Sequence, residues 1–343
     1  MQTSILLQQG ATPIETQFVD IPLYRLWPGK NRWACKGKVS CGPRKDSVYN
    51  ICLWMTFIIP TVFFLALPAP IVWKEISPAI TLVTAGLVVV ALSLFLLTTF
   101  SDPGYIPRKE VQVALGIQDE VRKVLGIPSP SLISKESVSI SDDGTIIVEN
   151  EFDDRILLTE DLSLLGYKYC ETCRIIRPPR ASHCSECDNC CLRHDHHCMC
   201  LALFELHFLL GPFVNNCVGH RNYMIFTSFV LSMVILGLMI LLSVIMWMSQ
   251  GSDVFSSLTV KVIAFCVGIP VGLVLLAGIG FILYHSQLAC RGETTRENLS
   301  AGRRPIPNPL PSGSSFFSAR PPRLYPAFNT LVRIPRRSAI VAV

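Results

Sequence analysis

The chain has 343 residues, of which 50% are apolar and 16% are charged, and its formal net charge is +5. Soluble domains carry about 25% charged residues, so this composition excludes an ordinary water-soluble protein, and the apolar content excludes a chain that is disordered throughout. The small net charge identifies no partner until it is placed on one side of a membrane.

Four uncharged runs are long enough to cross a bilayer, which takes about 20 apolar residues in a helix. We assign membrane-spanning helices to residues 49–73, 78–101, 223–249 and 262–285. Prolines inside these runs are compatible with transmembrane helices, where neighbouring groups satisfy the freed backbone. The alternative is a set of buried core helices in a large soluble protein, and four runs of this length argue against it. The predicted fold class is an α-helical polytopic membrane protein with four transmembrane helices.

Basic residues beside the spans predict their orientation, because Lys and Arg accumulate on the cytoplasmic side. Residues 1–48 form a basic tail, Arg108 and Lys109 follow the second span, and Arg291 follows the fourth. The short connections between the first and second spans and between the third and fourth carry little charge. We therefore expect both tails and the loop between the second and third spans to face the cytosol.

The segments outside the membrane differ in composition. Residues 102–166 form a linker rich in Ser, Asp and Glu, in which we expect a short helix and a strand or hairpin around Thr145–Val148. Residues 286–343 form a C-terminal tail. Beyond residue 300 this tail is rich in Pro, Arg and Ser and lacks periodicity, which predicts disorder there.

Metal binding is indicated by the segment 167–222. Nine of the 14 cysteines lie between Cys170 and Cys217, interleaved with histidines, and three Cys-x2-Cys spacings occur among them. A Cys-x2-Cys turn presents two thiolates to one tetrahedral zinc, and a structural zinc site takes four Cys or His ligands. The segment therefore predicts two closed zinc sites. Disulfides do not suit the reducing cytosol, and the segment lacks the spacing of about 12 residues found in nucleic-acid-binding zinc fingers.

One short sequence in this segment suggests catalysis. Asp195-His196-His197-Cys198 places a carboxylate, an imidazole and a thiol side by side. A thiolate is a nucleophile, a neighbouring His can take its proton, and a carboxylate can hold that His in one tautomer. A purely structural role for these residues remains the alternative.

These residues resemble the DHHC-type protein S-acyltransferases, also called palmitoyltransferases. The run from Cys170 through Asp195-His196-His197-Cys198 to Asn215-Asn216-Cys217 looks like the cysteine-rich domain of that family. Asp102-Pro103-Gly104 follows the second span and Thr294-Thr295-Arg296-Glu297 follows the fourth, where the family has its DPG and TTxE motifs. The leader from Trp27 to Trp33 is similar to the plant branch.

The resemblance implies a role for each matching residue. Zinc ligands are implied at two sites, the first formed by Cys170, Cys173, His183 and Cys190 and the second by Cys184, Cys187, His197 and Cys217. Cys198 would be the nucleophile, His196 would activate it, and Asp195 would orient His196. No residue is assigned to binding of acyl-CoA.

The implied activity is protein-cysteine S-palmitoyl transfer, in which a long-chain acyl group moves from acyl-CoA to Cys198 and then to a cysteine of a substrate protein. The implied cofactors are two structural zinc ions, with palmitoyl-CoA as co-substrate. The implied partners are membrane lipid and membrane-associated substrate proteins that face the cytosol, and no nucleic acid. We expect a multi-pass protein of the plasma membrane or of Golgi, endoplasmic reticulum and vesicle membranes.

One segment departs from the family pattern. Thirteen mostly apolar residues, 199–211, follow Cys198, and Phe213 stands where the family has tryptophan. Cys217 can still reach a zinc ion, because the cost of closing a loop grows slowly with its length. The geometry of a nucleophile is more sensitive to such a change. Two functions therefore stay open: an S-acyltransferase, and a catalytically impaired zinc-binding membrane protein that acts as a scaffold for substrates or partners.

Overall fold

A computed structural model describes residues 17–130, 136–141, 144–198, 214–249, 258–300 and 320–336. In chain order the helices are α1 (Leu23–Leu26), α2 (Ser47–Ala66), α3 (Pro68–Ile71), α4 (Pro78–Phe100), α5 (Lys109–Leu115), α6 (Gln118–Leu125), α7 (Glu160–Leu164), α8 (Tyr223–Ser249), α9 (Leu258–Arg291) and α10 (Thr295–Leu299). The strands are β1 (Phe18–Pro22), β2 (Arg32–Ala34), β3 (Val39–Cys41), β4 (Tyr105–Ile106), β5 (Ser137–Ile140), β6 (Ile146–Glu149), β7 (Lys168–Cys170), β8 (Ile175–Arg177), β9 (Ser182–Cys184), β10 (Asn189–Cys191), β11 (His196–His197), β12 (Cys217–Val218) and β13 (Leu331–Pro335).

Within the described residues, four helical stretches are long and apolar enough to cross a membrane: Phe57–Ile76, Pro78–Phe100, Tyr223–Ser249 and Ala264–Arg291. Many of their large apolar side chains are exposed, such as Leu82 at 61%, Val89 at 64% and Leu276 at 69%. Contiguous apolar surface of this kind marks contact with lipid or with another protein. The prediction of four candidate membrane spans is confirmed.

The first span is interrupted and the fourth is longer than predicted. Helix α2 ends at Ala66, α3 begins at Pro68, and a π turn ends at Ile76. Pro68 has no N–H for the helical ladder and restricts the backbone of the preceding residue, which accounts for the break at Leu67. Helix α9 continues past residue 285 to Arg291 and stops before Gly292, whose φ of +67° is the left-handed conformation common after helix ends.

The cysteine-rich segment folds as short antiparallel strand pairs. Strands β4, β10 and β9 form a three-stranded sheet, while β7 pairs with β8 and β11 pairs with β12. Such small sheets bury little apolar surface, and their core combines Tyr105, Ile106 and Val111 with the buried cysteines. This segment therefore depends on its cysteines for much of its interior, as small metal-stabilised domains do.

The predicted hairpin near Thr145–Val148 is present. Strands β5 and β6 are antiparallel, with Ile140 opposite Ile146. Behind them, the buried Lys109 ammonium pairs with carboxylates of Glu136 and Asp154, each at 3.0 Å. Burial of a charge requires such partners, so these ion pairs attach the residues that flank the hairpin to α5.

The prediction that the chain is disordered beyond residue 300 is wrong for residues 320–336. Strand β13 pairs antiparallel with β1 over five residue pairs. The ring of Tyr325 lies 4.7 Å from that of Trp27, and the ring of Phe328 lies 3.9 Å from that of Trp33. Burial of these aromatic rings offsets the entropy cost of ordering the tail. The composition of the whole tail does not indicate this short segment, which contains aromatic residues and a strand whose side chains are alternately exposed and buried.

The segment 199–211 and Phe213 lie outside the described residues, as do residues 301–319 and 337–343 of the tail.

Candidate metal centres and active site

Two hairpin turns of the same kind carry the paired cysteines. Cys170 ends β7 and Cys173 lies in the turn to β8, while Cys184 ends β9 and Cys187 lies in the turn to β10. The residue after the second cysteine is left-handed in both turns, with φ of 53° at Arg174 and 54° at Asp188. A left-handed residue closes a tight turn, so both sulfur atoms point to one side of each hairpin.

The first cluster combines the first hairpin with two residues from the neighbouring sheet. Its ligand atoms, from Cys170, Cys173, His183 and Cys190, lie within 4.8 Å of one another. The register of β9 and β10 places His183 opposite Cys190. The Nδ1 atom of His183 lies 3.4 Å from the sulfur of Cys173 and 3.8 Å from that of Cys190.

The second cluster combines the second hairpin with the β11–β12 pair. Its ligand atoms, from Cys184, Cys187, His197 and Cys217, also lie within 4.8 Å of one another. His197 stands opposite Cys217 in the strand register. The Nδ1 atom of His197 lies 3.5, 3.3 and 3.4 Å from the sulfurs of Cys184, Cys187 and Cys217.

These distances fit tetrahedral zinc. Zn–S bonds of about 2.3 Å and Zn–N bonds of about 2.0 Å at the tetrahedral angle place N and S atoms about 3.5 Å apart. The observed separations of 3.3–3.8 Å bracket that value. Hydrogen bonds to Cys170 and Cys173 raise the pKa of His183 to about 10, so the donor set favours positive charge. The two clusters that the resemblance implied are therefore brought together, each with three sulfurs and one nitrogen.

Each cluster histidine also contacts a carboxylate through its other ring nitrogen. The Nε2 atom of His197 lies 2.9 Å from Asp46, and that of His183 lies 3.4 Å from Asp188. Metal-binding histidines commonly have such a partner, which fixes the tautomer and the ring orientation. Sequence reasoning missed both carboxylates, because Asp46 lies in the N-terminal tail and nothing in its neighbours indicates a distant histidine.

Asp195 and His196 form a hydrogen-bonded pair beside the second cluster. The Nδ1 atom of His196 lies 2.6 Å from Oδ2 of Asp195, whose side chain is 1% exposed. The backbone N–H and the hydroxyl of Thr295 donate to the same carboxylate at 2.9 and 2.8 Å. Thr295 belongs to the Thr294-Thr295-Arg296-Glu297 motif, which thus orients Asp195 from the end of α9.

Asp195 and His196 shift each other's pKa in opposite directions. Burial raises the pKa of Asp195, but the hydrogen bond and charge of His196 outweigh it and lower the pKa to about 2. Burial lowers the pKa of His196, whereas interactions with Asp195 and with the thiol of Cys198 raise it to about 10. An imidazolium next to a thiol stabilises the thiolate.

Cys198 lies where the cysteine-rich segment meets the membrane helices. It is 6% exposed and packs in a buried apolar cluster with Phe95 of α4 and with Phe226 and Phe229 of α8. Its backbone N–H donates to the carbonyl oxygen of Asn216 at 3.1 Å. The thiol therefore has a polar partner, His196, on one side and apolar helix surface on the other.

Asn216 and the Asp102-Pro103-Gly104 motif join this site to α4. The side-chain amide of Asn216 donates to the carbonyl oxygens of Thr99 and Ser101 at 3.1 and 2.7 Å, where the last carbonyls of a helix lack helical partners. Asp102 accepts from the backbone N–H of Gly104 at 2.8 Å and pairs with Arg221 at 3.0 Å. The end of the second span is thus fixed against the strand that carries Cys217.

Arg180 and Glu297 join the site to α10. The guanidinium of Arg180 donates twice to the carboxylate of Glu297, both times at 2.7 Å. The same carboxylate accepts from the backbone N–H of Thr294 at 2.8 Å, and the Thr294 hydroxyl accepts from the N–H of Glu297. This capping box begins the helix that presents Thr295 to Asp195.

Among the described residues of the segment, Cys191, His194 and His220 fall outside both clusters. Cys191 is fully buried, with its sulfur 3.4 Å from the carbonyl oxygen of Pro103. His194 is 4% exposed, and burial lowers its pKa. A structural role for these two residues and for His220 stays a prediction, and His207 lies outside the described residues.

Comparison with known proteins agrees with this geometry. The family model described as DHHC palmitoyltransferase matches residues 165–204 and 209–302, and the break between them falls inside the segment 199–211. Palmitoyltransferase ZDHHC9 of Homo sapiens is 30% identical over 304 residues, which cover 84% of this chain and 72% of that protein. Palmitoyltransferase ZDHHC14 of Homo sapiens is 30% identical over 80% of this chain and 51% of its own length. The zebrafish (Danio rerio) ZDHHC18-B is 32% identical over 61% of this chain and 46% of its own length. Similarity of the leader to the plant branch is not tested by these relatives and stays a prediction.

Proposed function

Because the chain belongs to the DHHC palmitoyltransferase family and is a protein S-palmitoyltransferase, we propose that Cys198, His196 and Asp195 are its catalytic residues. The observation that carries this assignment is the continuous hydrogen-bonded series from Thr295 through Asp195 to His196, next to the buried thiol of Cys198. A carboxylate, an imidazole and a thiol in this order are the elements of an activated cysteine nucleophile.

In the first half-reaction, Asp195 accepts a hydrogen bond from Nδ1–H of His196, and the thiol proton of Cys198 has passed to His196, which leaves an imidazolium beside a thiolate. The thiolate sulfur attacks the thioester carbonyl carbon of the acyl-CoA, a new C–S bond forms, and the C–S bond to CoA breaks. The CoA sulfur leaves with the proton that His196 returns. The products are acyl-Cys198 and CoA with a free thiol.

In the second half-reaction, His196 takes the proton from a cysteine thiol of the substrate protein. The resulting thiolate attacks the carbonyl carbon of acyl-Cys198, and the sulfur of Cys198 leaves and recovers its proton from His196. Each half-reaction exchanges one thioester for another, so no external energy source or oxidant is required.

We assign the two Cys3His clusters to structural zinc, with all eight positions filled by side chains and none open for substrate. Bound zinc would hold the short strands β7–β12 together and so keep His196 and Cys198 in register. Three sulfurs and one nitrogen at this spacing support the assignment, as do the carboxylates next to His183 and His197.

We place the cysteine-rich segment, between the second and third spans, on the cytosolic face of the membrane. The basic residues that flank the spans support this topology. The buried apolar side chains near Cys198 suit the acyl chain of palmitoyl-CoA, and each methylene that leaves water contributes about 0.8 kcal/mol. The protein partners would be membrane-associated proteins that present a cysteine at the cytosolic surface. Plasma membrane, Golgi, endoplasmic reticulum and vesicle membranes are all compatible locations.

Acylation with a labelled substrate tests the catalytic assignment. We expect the purified protein to take a hydroxylamine-sensitive label from labelled palmitoyl-CoA, because hydroxylamine cleaves thioesters. The variant Cys198→Ser should lose the label, His196→Ala should lower it strongly, and the control Cys191→Ser should keep it. Label that persists in Cys198→Ser would refute the assignment of the nucleophile.

The segment 199–211 is the reason to test the alternative, a zinc-binding scaffold without transfer activity. That alternative predicts a protein that holds two zinc ions and takes no label. It also predicts that the label appears when residues 199–211 are deleted and Phe213 is changed to Trp. Labelling of the unaltered chain excludes it.

A further inference from the structure

A buried histidine in the fourth span lies close to the proposed active site. His285 is 4% exposed, and its Nδ1 atom lies 2.9 Å from the hydroxyl oxygen of Tyr223. The ring of Phe281 lies 4.2 Å away, and that of Tyr284 lies 5.5 Å away. The Nε2 atom has no hydrogen-bond partner among the described residues. An imidazole buried in a membrane-spanning helix is costly, and such residues usually serve a function.

The position of His285 relates it to His196 and Cys198. The rings of His285 and His196 lie 6.2 Å apart, and both pack against Phe226, at 6.1 and 5.4 Å. Cys198 belongs to the same buried cluster as Tyr223 and Phe226. The chain that continues from His285 out of α9 carries Thr295, the residue that orients Asp195. One segment thus supplies contacts to the Asp195–His196 pair from two directions.

Either partner can donate in the hydrogen bond between Tyr223 and His285, and we assign the tyrosine hydroxyl as the donor. A tyrosine hydroxyl that donates to Nδ1 leaves the ring proton on Nε2, because a neutral imidazole has one donor and one acceptor nitrogen. His285 then presents an N–H donor among aromatic rings, next to His196. A buried donor without a partner is unfavourable, and that cost is recovered when a ligand supplies an acceptor.

We propose that the Nε2–H group of His285 donates a hydrogen bond to the thioester oxygen during acyl transfer, as the oxyanion donor of this enzyme. The proposal rests on the proposed function of Cys198. When the thiolate of Cys198 bonds to the carbonyl carbon, the π electron pair moves to the oxygen, which becomes an oxyanion. The donor of His285 stabilises that charge. The pair then returns to re-form the carbonyl as the C–S bond to CoA breaks, and the leaving sulfur takes its proton from His196.

Two reactions of Cys198 separate this role from a purely structural one. Acyl transfer passes through an oxyanion, whereas alkylation by iodoacetamide is a substitution at a saturated carbon and forms none. Both require the thiolate of Cys198 and therefore the same Asp195–His196 pair. Loss of an oxyanion donor should slow only acyl transfer, by about 100- to 1,000-fold.

The test compares His285→Phe, which keeps an aromatic ring against Phe281 but has no donor, with His285→Gln, whose amide N–H can replace Nε2–H. The exposed Gln287 of the same helix provides a matched control, Gln287→Ala. Self-acylation by palmitoyl-CoA and alkylation of Cys198 by iodoacetamide are measured on zinc-replete protein, with zinc content as the check on folding.

We expect His285→Phe to lose acylation and to keep the alkylation rate, His285→Gln to regain part of the acylation, and Gln287→Ala to behave as the parent protein. Equal losses of acylation and alkylation in His285→Phe would make His285 a positioning residue and overturn the proposal, as would unchanged acylation. If the parent protein itself takes no label from palmitoyl-CoA, the proposed function has failed rather than the role of His285. The persistence of Cys198 alkylation would then show that the site is folded.

Discussion

Removal of the carboxylate on His197 should weaken the second metal centre while leaving the first intact. Asp46 is 1% exposed and lies 2.9 Å from Nε2 of His197, whereas Asp188 is 29% exposed at its side chain and lies 3.4 Å from His183. Loss of such a partner typically lowers metal affinity about 10- to 100-fold, which corresponds to about 1.4–2.7 kcal/mol. The shorter and more deeply buried contact of Asp46 should place Asp46→Ala at the upper end of that range.

The assay is zinc release to a chromogenic chelator of graded concentration, with Asp188→Ala as the matched variant at the first centre. We expect Asp46→Ala to lose one of two zinc ions at a lower chelator concentration than the parent protein, and Asp188→Ala to show a smaller shift. A release curve of Asp46→Ala that superimposes on that of the parent would refute the argument that Asp46 orients His197.

Three further outcomes follow from named contacts. Purified protein should hold about two zinc ions per chain. The variants His183→Ala and Cys187→Ser should lose metal and unfold the cysteine-rich segment, which metal analysis and circular dichroism would record. Fewer than one zinc ion per chain in folded protein would contradict this prediction. Arg180→Ala should lower the free energy of unfolding by about 1.5–3 kcal/mol, because the hydrogen bonds of Arg180 to Glu297 are charge-assisted and mostly buried. Arg155→Ala should change the free energy of unfolding little, because the ion pair of Arg155 with Glu171 is exposed. Equal effects of the two variants in thermal melts would count against a stabilising role of Arg180. Phe328→Ala should lower the free energy of unfolding by about 3–5 kcal/mol and change the fluorescence of Trp27 and Trp33, since Phe328 is 5% exposed. Leu331→Ala should change neither quantity, because Leu331 is 64% exposed. If Phe328→Ala also changes neither, residues 320–336 contribute nothing to the stability of the fold.

The sequence allowed prediction of those features that depend on short spacings. Four long uncharged runs predict the candidate spans because a bilayer imposes a minimum length on a helix. Paired cysteines predict the clusters because the Cys-x2-Cys turn is a local structure, and both clusters form as the resemblance implied. Hairpin β5–β6 was predictable for the same reason, since its two strands are separated by a short turn.

Features that depend on distant residues were not predictable from one sequence. Asp46 reaches His197 across 151 positions, and Arg323 of the tail reaches Asp102 across 221. Neither contact has a local pattern in the sequence. The proline and arginine content of the tail predicts disorder, and the alternating burial of the five residues of β13 becomes visible only in the structure. His285 could be recognised in the sequence as a polar residue within a span, but its role depends on its position beside His196.

Mass-spectrometric mapping of the acyl group, after brief incubation of the purified, zinc-replete protein with palmitoyl-CoA, would identify the acyl carrier. We expect a thioester-linked palmitoyl group on the peptide that contains Cys198, and its absence from that peptide in His196→Ala. A palmitoyl group found only on another cysteine, such as the exposed Cys35 or Cys290, or none on a protein that holds two zinc ions, would contradict the assignment of Cys198 as the acyl carrier.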